Sequence, residues 1–315
     1  MNLAHLHLLL NHVPTVGFAV GVCLFLVALV EQDEKQQRVS LGVLFLVAVL
    51  SIPAYLTGVA ASEIMQDRPG VSVDLIRTHE DAALSAFAVM ELTGAAAWLA
   101  LWQFRRLSRP PRGMLVSILF LSVVAFGLMA QAANLGGGIR HPEVVSLEET
   151  VTPREPLAGT IWLNTASVRS FVNDNDWVWP ACEAIHFMGL ALSFGVVLLL
   201  NLRMLGMMKS VAFADLHRTL PWGMLGFGVN LVTGLMFFIG VPEQYTTNPS
   251  FQWKILFLVL LGVNLIYVTS RQKVWAVGPG EDAPPTAKVV AASTIFLWIG
   301  VVYFGRMLPY LGNAY

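Results

Sequence analysis

The chain is poor in charge: only 12% of its 315 residues are Asp, Glu, Lys or Arg, whereas a soluble domain carries about 25%. Too few charged side chains remain to cover a surface that faces water. Most side chains are therefore expected to face lipid or one another, which excludes an ordinary soluble protein. The net charge of −1 also gives no reason to expect nucleic acid as a partner.

Cysteine and the common cofactor motifs are scarce as well. Cys23 lies in the middle of one apolar run and Cys182 at the edge of another, so no disulfide is expected. The chain has neither a C-x-x-C-H motif for covalent haem nor a phosphate-binding loop. A Cys-x-x-Cys or Met-rich motif that would favour copper is also lacking. The first apolar run has no basic leading segment and no A-x-A cleavage pattern, so it is interpreted as a retained helix.

Long apolar runs are what the chain has in abundance. A bilayer core needs about 20 apolar residues per helix, and eight such runs are separated by polar or Pro- and Gly-rich breaks. The runs lie at roughly 8–30, 39–61, 80–104, 114–135, 181–202, 220–241, 252–270 and 287–310. The sequence therefore predicts an all-α integral membrane protein with about eight transmembrane helices in a lipid bilayer.

The distribution of basic residues predicts the orientation. Connections after the first, third, fifth and seventh spans hold twelve Lys and Arg residues, and the opposite face holds seven over more residues. Because cytoplasmic loops carry the excess of Lys and Arg, the first set is assigned to the cytoplasm. Both termini then lie outside, which for a bacterial inner membrane is the periplasm.

The longest connection, 136–180, divides the chain into two blocks of four helices, 1–135 and 181–315. On the predicted orientation this connection is periplasmic. Its segment GTIWLNTASVRSFV, at 159–172, is a candidate for a short helix lying at the membrane interface. Each block opens with a histidine-bearing helix.

Three histidines, His12, His79 and His186, lie near the start of spans that run inward. Histidine in a membrane span is costly and more often functional than in a soluble core. We expect these rings to share one layer near the outer face, with His141 on the same side after a run of glycines. Small residues dominate the helix face below each ring, which predicts room for a broad, flat group.

A haem fits this description, because imidazole holds its iron. The first and third helices of an up-and-down bundle lie on a diagonal, so His12 and His79 are expected to approach one iron from opposite sides. His141 and His186 are further cofactor-binding candidates, and His186 is also a candidate for the iron itself. Suitable partners for haem propionates are Arg77, Arg140 and Arg306.

Other interpretations of the same residues stay open. Small residues also serve close helix packing, and a lone interfacial histidine is often only hydrogen-bonded. Imidazole suits copper and zinc as well as iron. A metal site built from His12, His79, His141 and a carboxylate is therefore an alternative to haem.

Two carboxylates are candidates for proton handling. Glu91 lies several turns into the third span, where a carboxylate costs about 3 kcal/mol on insertion scales. Glu80 lies on the same helix face about three turns earlier, so the two form a line toward the outer surface. The alternative is a protonated Glu91 that is bonded to a neighbour such as Gln131 or Asn134.

The first block resembles a bacterial four-helix membrane family of unknown function, on the segments LHLLLNHVPTVG, RTHEDA and NLGGGIRHPE. The second resembles another uncharacterised membrane family, distantly like copper-resistance D integral proteins, on EAIHFMGLALSFG, NLRMLG and NPSFQWKILF. Domains of the first type occur joined to cytochrome c modules, so the resemblance implies electron transfer. It also implies that His12, His79 and His141 are the motif histidines of the first family and His186 that of the second.

The leading hypothesis is a membrane-embedded electron-transfer subunit with b-type haem. It would link the quinone pool to a periplasmic redox protein, as the membrane subunit of an oxidoreductase complex. The alternatives are a histidine-based copper-handling or proton-coupled carrier, and a structural anchor for a periplasmic enzyme complex.

Overall fold

A computed structural model describes residues 3–66, 71–106, 110–140 and 163–311, and these ranges are helical and contain no strand. Eight helices are long and apolar enough to cross a membrane, which confirms the predicted all-α membrane fold. In chain order they are α1 (Leu3–Val30), α2 (Glu34–Gln66), α3 (Val73–Arg106), α4 (Arg112–Arg140), α5 (Val178–Met204), α6 (Leu220–Gly240), α7 (Pro249–Ser270) and α8 (Pro285–Met307). Shorter helices are Thr165–Asn173, Phe213–Leu216, Glu243–Thr246 and Gln272–Trp275, with a 3₁₀ turn at His217–Thr219.

Several helices extend beyond the predicted apolar runs because polar residues continue or cap them. The backbone N–H of Lys35 donates to the Asp33 carboxylate at 2.8 Å, just where α2 begins. Within α1, Asn11 lies between the segments Leu3–Leu10 and His12–Val30, and its backbone angles stay helical, with φ −61° and ψ −24°.

The chain divides into two compact units, Met1–Ser167 and Val168–Tyr315. The boundary lies inside the connection predicted at 136–180, within the helix Thr165–Asn173. That helix overlaps the segment expected to form a short interfacial helix.

Unit 1 is a four-helix bundle closed into a ring. Helix α1 packs on α2 and α4, and α3 packs on the same two helices, so α1 and α3 occupy opposite corners. Fully buried apolar side chains such as Phe25, Leu44 and Met90 form the core below the first turns. Helices α2 and α3 approach closely, since a Cβ on Gly94 would lie 2.4 Å from the Cβ of Ala48. Small residues at such contacts let membrane helices pack tightly.

Unit 2 is arranged as a row rather than a ring. Helix α5 packs on α6 and α8, and α7 packs on α8, while α6 and α7 share little contact along their length. At one end the two outer helices are joined by the Phe238 and Phe251 rings, whose centroids are 5.6 Å apart. Glycine is required between α5 and α6, because a Cβ on Gly226 would lie 2.7 Å from the carbonyl oxygen of Gly189.

Candidate functional site

His7 is held between α1 and α2 in unit 1. Its Nδ1 lies 3.0 Å from the carbonyl oxygen of Ala54 on α2. A carbonyl oxygen can only accept, so Nδ1 carries the proton and Nε2 of the neutral ring keeps a free lone pair. Gly58, one turn beyond Ala54, makes room for the ring, since a Cβ there would lie 3.0 Å from Cε1 of His7.

His79 repeats this arrangement between α3 and α4. Its Nδ1 lies 2.9 Å from the carbonyl oxygen of Ala132, which fixes the same tautomer. Gly136 again follows one turn later, and a Cβ on it would lie 3.0 Å from Cε1 of His79. Helices α1 and α3 thus each contribute an imidazole that is hydrogen-bonded to the next helix, and a glycine on that next helix makes room for the ring.

The two imidazoles come from opposite corners of the ring and lie within electrostatic range of each other. At 1.5 Å per residue, His7 lies about 6 Å and His79 about 9 Å from the start of its helix. Within the described part of unit 1, neither Nε2 atom has a hydrogen-bond partner. Two imidazole lone pairs are therefore presented at similar depth.

His7, and not His12, is the histidine of α1 that lies within electrostatic range of His79. His12 is exposed on α1. His141 and the Arg140 side chain lie outside the described residues. Arg77 is exposed, half a turn before His79 on α3.

The small residues below the histidines serve helix packing. Ala82 and Ala86 on α3 are buried, and Ala82 packs against Ala132 and Leu135 of α4. We expected such residues to leave room for a flat group. In the structure the space for the imidazole rings is instead provided by glycines on the neighbouring helices, Gly58 beside His7 and Gly136 beside His79.

Both candidate carboxylates of α3 are bonded to serines of α2. The Ser62 hydroxyl bonds to Glu80, and Ser51 Oγ lies 2.9 Å from Glu91 Oε1 and 2.8 Å from the Ala48 carbonyl oxygen. A hydroxyl has one proton, so a protonated Glu91 that donates to Ser51 would satisfy both contacts. The partner of Glu91 is thus a serine rather than Gln131 or Asn134.

Unit 2 contains a single imidazole of the same kind. His186 Nδ1 on α5 lies 2.8 Å from Thr233 Oγ1 on α6. Thr233 donates its own proton to the Val229 carbonyl oxygen at 2.7 Å, so His186 must donate through Nδ1. Its Nε2 is again left as an acceptor or ligand. The ring of Phe237 lies beside it, with centroids 5.9 Å apart.

Lys254 lies near the start of α7, the third spanning helix of unit 2, as His79 lies near the start of α3 in unit 1. It lies within electrostatic range of His186, and a Cβ on Gly305 of α8 would lie 3.7 Å from its Nζ. Arg306, the neighbour of Gly305, is exposed. Between α6 and α7, burial and, to a smaller extent, the nearby Glu183 charge together raise the pKa of Tyr245 to about 12. Tyr245 therefore stays a neutral hydroxyl near the ring of Phe251.

The described residues contain no group of three or more His, Cys, Asp or Glu side chains that could hold a metal ion. What unit 1 brings together is two imidazoles, and unit 2 brings together one imidazole and one amine. The apolar pattern of the sequence predicts cofactor-binding roles for His79 and His186 but not for His7. A signal was present, because Ala-x-x-x-Gly occurs in α2 and again in α4, each time after a histidine on the preceding helix.

Comparison with known proteins gives no relative: no family model, curated protein or solved structure matches the chain.

Proposed function

We propose that the chain is a membrane-embedded electron-transfer subunit whose unit 1 binds one b-type haem through Nε2 of His7 and Nε2 of His79. The observation that carries this proposal is the repeated set of histidine, carbonyl and glycine on opposite corners of one four-helix ring. A haem supplies four ligands to its own iron, so two imidazoles complete the coordination.

The local chemistry of both histidines suits an iron ligand. A ligating histidine almost always donates its other ring N–H to a carbonyl, carboxylate or water, which fixes the tautomer and the ring orientation. Ala54 and Ala132 provide these carbonyls. Small residues beside the rings would let a porphyrin edge approach. A haem held there would supply one-electron oxidation and reduction.

The surrounding residues would support that role. Arg77 lies at the same end of α3 and would pair with a propionate. Glu80, next to His79, would handle protons near that end, and Glu91 would do so deeper in the bundle. In this proposal the chain lies in a bacterial inner membrane with both termini in the periplasm, and it passes electrons from the quinone pool to a periplasmic redox protein.

The test is metal analysis and the optical spectrum of the purified chain. The expected result is iron at about one atom per chain, with the low-spin α band of b-type haem after reduction by dithionite. Reduction by a short-chain quinol should produce the same band. Copper without iron would favour the metal-handling alternative instead. A protein without bound iron or copper, purified from cells with ample haem, would favour the structural anchor.

A further inference from the structure

Unit 2 holds two polar groups that the proposed haem does not use. Lys254 is half-buried in a membrane-spanning helix, and the described residues offer its amine neither a hydrogen bond nor an ion pair. A lysine in such a position is expensive to leave without a partner. We therefore expect the amine to donate a hydrogen bond to a bound ligand.

The second group has the opposite requirement. Because Thr233 forces the Nδ1–H tautomer of His186, the Nε2 of the neutral ring can only accept. The two groups lie at a similar level, because Leu190 on α5 and Leu258 on α7, each one turn further along its helix, pack against the same apolar cluster. Together they fit a ligand with a hydrogen-bond donor and an acceptor at neighbouring positions.

The arrangement of helices gives such a ligand a route. Helices α6 and α7 are the outer members of the row and share little contact along their length. Aromatic side chains lie on both sides, with Phe237 beside His186 and Trp253 stacked near Phe304 at a centroid distance of 6.2 Å. An apolar molecule could therefore pass from the bilayer between these two helices.

We propose that His186 and Lys254 bind the headgroup of a hydroquinone that enters unit 2 from the bilayer. One hydroxyl donates to Nε2 of His186, and an oxygen of the headgroup accepts from Nζ of Lys254. This deepens the proposed function and rests on it for the choice of a redox-active lipid. A carboxylate or a phosphodiester has no proton to donate, so it would suit Lys254 but would leave the His186 lone pair facing another acceptor, and a cation would be repelled by Lys254.

Calorimetric titration of the detergent-solubilised full chain with a short-chain benzohydroquinone tests the site. Replacing either group should weaken binding about tenfold, the ratio expected for a hydrogen bond of about 1.4 kcal/mol. The variants are Lys254→Met and His186→Phe, with Lys254→Arg and His186→Gln as conservative versions that keep a donor and an acceptor. Lys209→Met is the matched control, because Lys209 is exposed and pairs with Asp282.

The dimethyl ether of the same hydroquinone tests the assigned polarity. It cannot donate to His186, so wild type should bind it about tenfold more weakly than the hydroquinone. In His186→Phe that preference should disappear. Elution as a monodisperse species in size exclusion identifies variants that have kept their fold.

Each outcome separates this inference from the haem proposal. Unchanged affinity in Lys254→Met and in His186→Phe, or equal affinity of wild type for the ether, overturns the inference even if haem is present. Weaker binding in both variants, with partial recovery in the conservative versions, supports it. A chain that shows these preferences but contains no haem overturns the proposed function alone.

Discussion

Both units contain a histidine whose Nδ1 is hydrogen-bonded to the following helix, but they differ in how many. In unit 1 an imidazole on an odd-numbered helix is anchored on the following helix twice, at His7 and at His79. In unit 2 this arrangement occurs once, at His186, where the acceptor is a threonine hydroxyl instead of a backbone carbonyl. The corresponding place on α7 holds Lys254.

In the proposed function this difference corresponds to two roles. A closed ring with two imidazole lone pairs suits a fixed cofactor, because all four helices would restrain the ligands. An open row with one acceptor and one donor suits a ligand that enters and leaves.

The largest effect is expected on haem content. Replacing either His7 or His79 by Ala would remove one of the two imidazoles proposed to hold the haem, so haem should fall from about one per chain to a small fraction. His186→Ala should keep wild-type haem, because unit 2 offers no second imidazole beside His186. Haem per chain is measured by converting it to its pyridine complex and comparing absorbance with protein concentration.

His5→Ala and His12→Ala are the matched controls, since both side chains are exposed on α1. Loss of haem in His186→Ala together with full retention in His7→Ala would reverse the assignment of the two units.

The sequence was sufficient for the fold and for part of the site. Eight runs of about 20 apolar residues predict eight spans because lipid leaves the backbone few alternatives. The same reasoning selected His79 and His186 by their depth. His7 gives no such signal, because it lies just before the apolar run. His12, five residues further along the helix, lies on a different face of α1 and is exposed.

Side-chain partners were harder to predict than helices. The sequence offered Gln131 and Asn134 as neighbours of Glu91, but its bond is to Ser51 on the preceding helix. Which serine faces a carboxylate depends on the rotation of both helices about their axes. That rotation is set by packing, including the close contact of Gly94 with Ala48, and apolar periodicity does not reveal it.

A smaller effect is expected from the glycines beside the rings. Gly58→Ala or Gly136→Ala places a Cβ 3.0 Å from a histidine Cε1, so the anchored ring must move by a few tenths of an ångström. Overpacking of this kind costs about 1–3 kcal/mol, which should lower haem retention during dialysis against apomyoglobin.

Gly234→Ala is the counterpart in unit 2, where Cε1 of His186 would lie 3.6 Å from the added Cβ, an ordinary van der Waals contact. It should leave haem retention unchanged. If Gly136→Ala and Gly234→Ala lowered haem retention equally, the proposed contrast between the tightly held His7 and His79 in unit 1 and the open site in unit 2 would be wrong.

The smallest effect is expected at Glu91. If its carboxyl is protonated, Glu91→Gln keeps a donor to Ser51 and should change stability little. Ser51→Ala leaves a buried carboxyl without its partner and should cost about 1–3 kcal/mol. The thermal unfolding midpoint in detergent measures both changes. Destabilisation by Glu91→Gln as large as that by Ser51→Ala would indicate an ionised Glu91.

The most direct test of the central claim is the optical spectrum of His7→Gly and His79→Gly proteins, purified with and without imidazole in the medium. Each of these two variants should lose the low-spin spectrum and recover it when imidazole fills the space of the missing ring, while His12→Gly should keep the spectrum throughout. A low-spin spectrum that persists in His7→Gly but is lost in His12→Gly would contradict the assignment of His7 as a haem ligand.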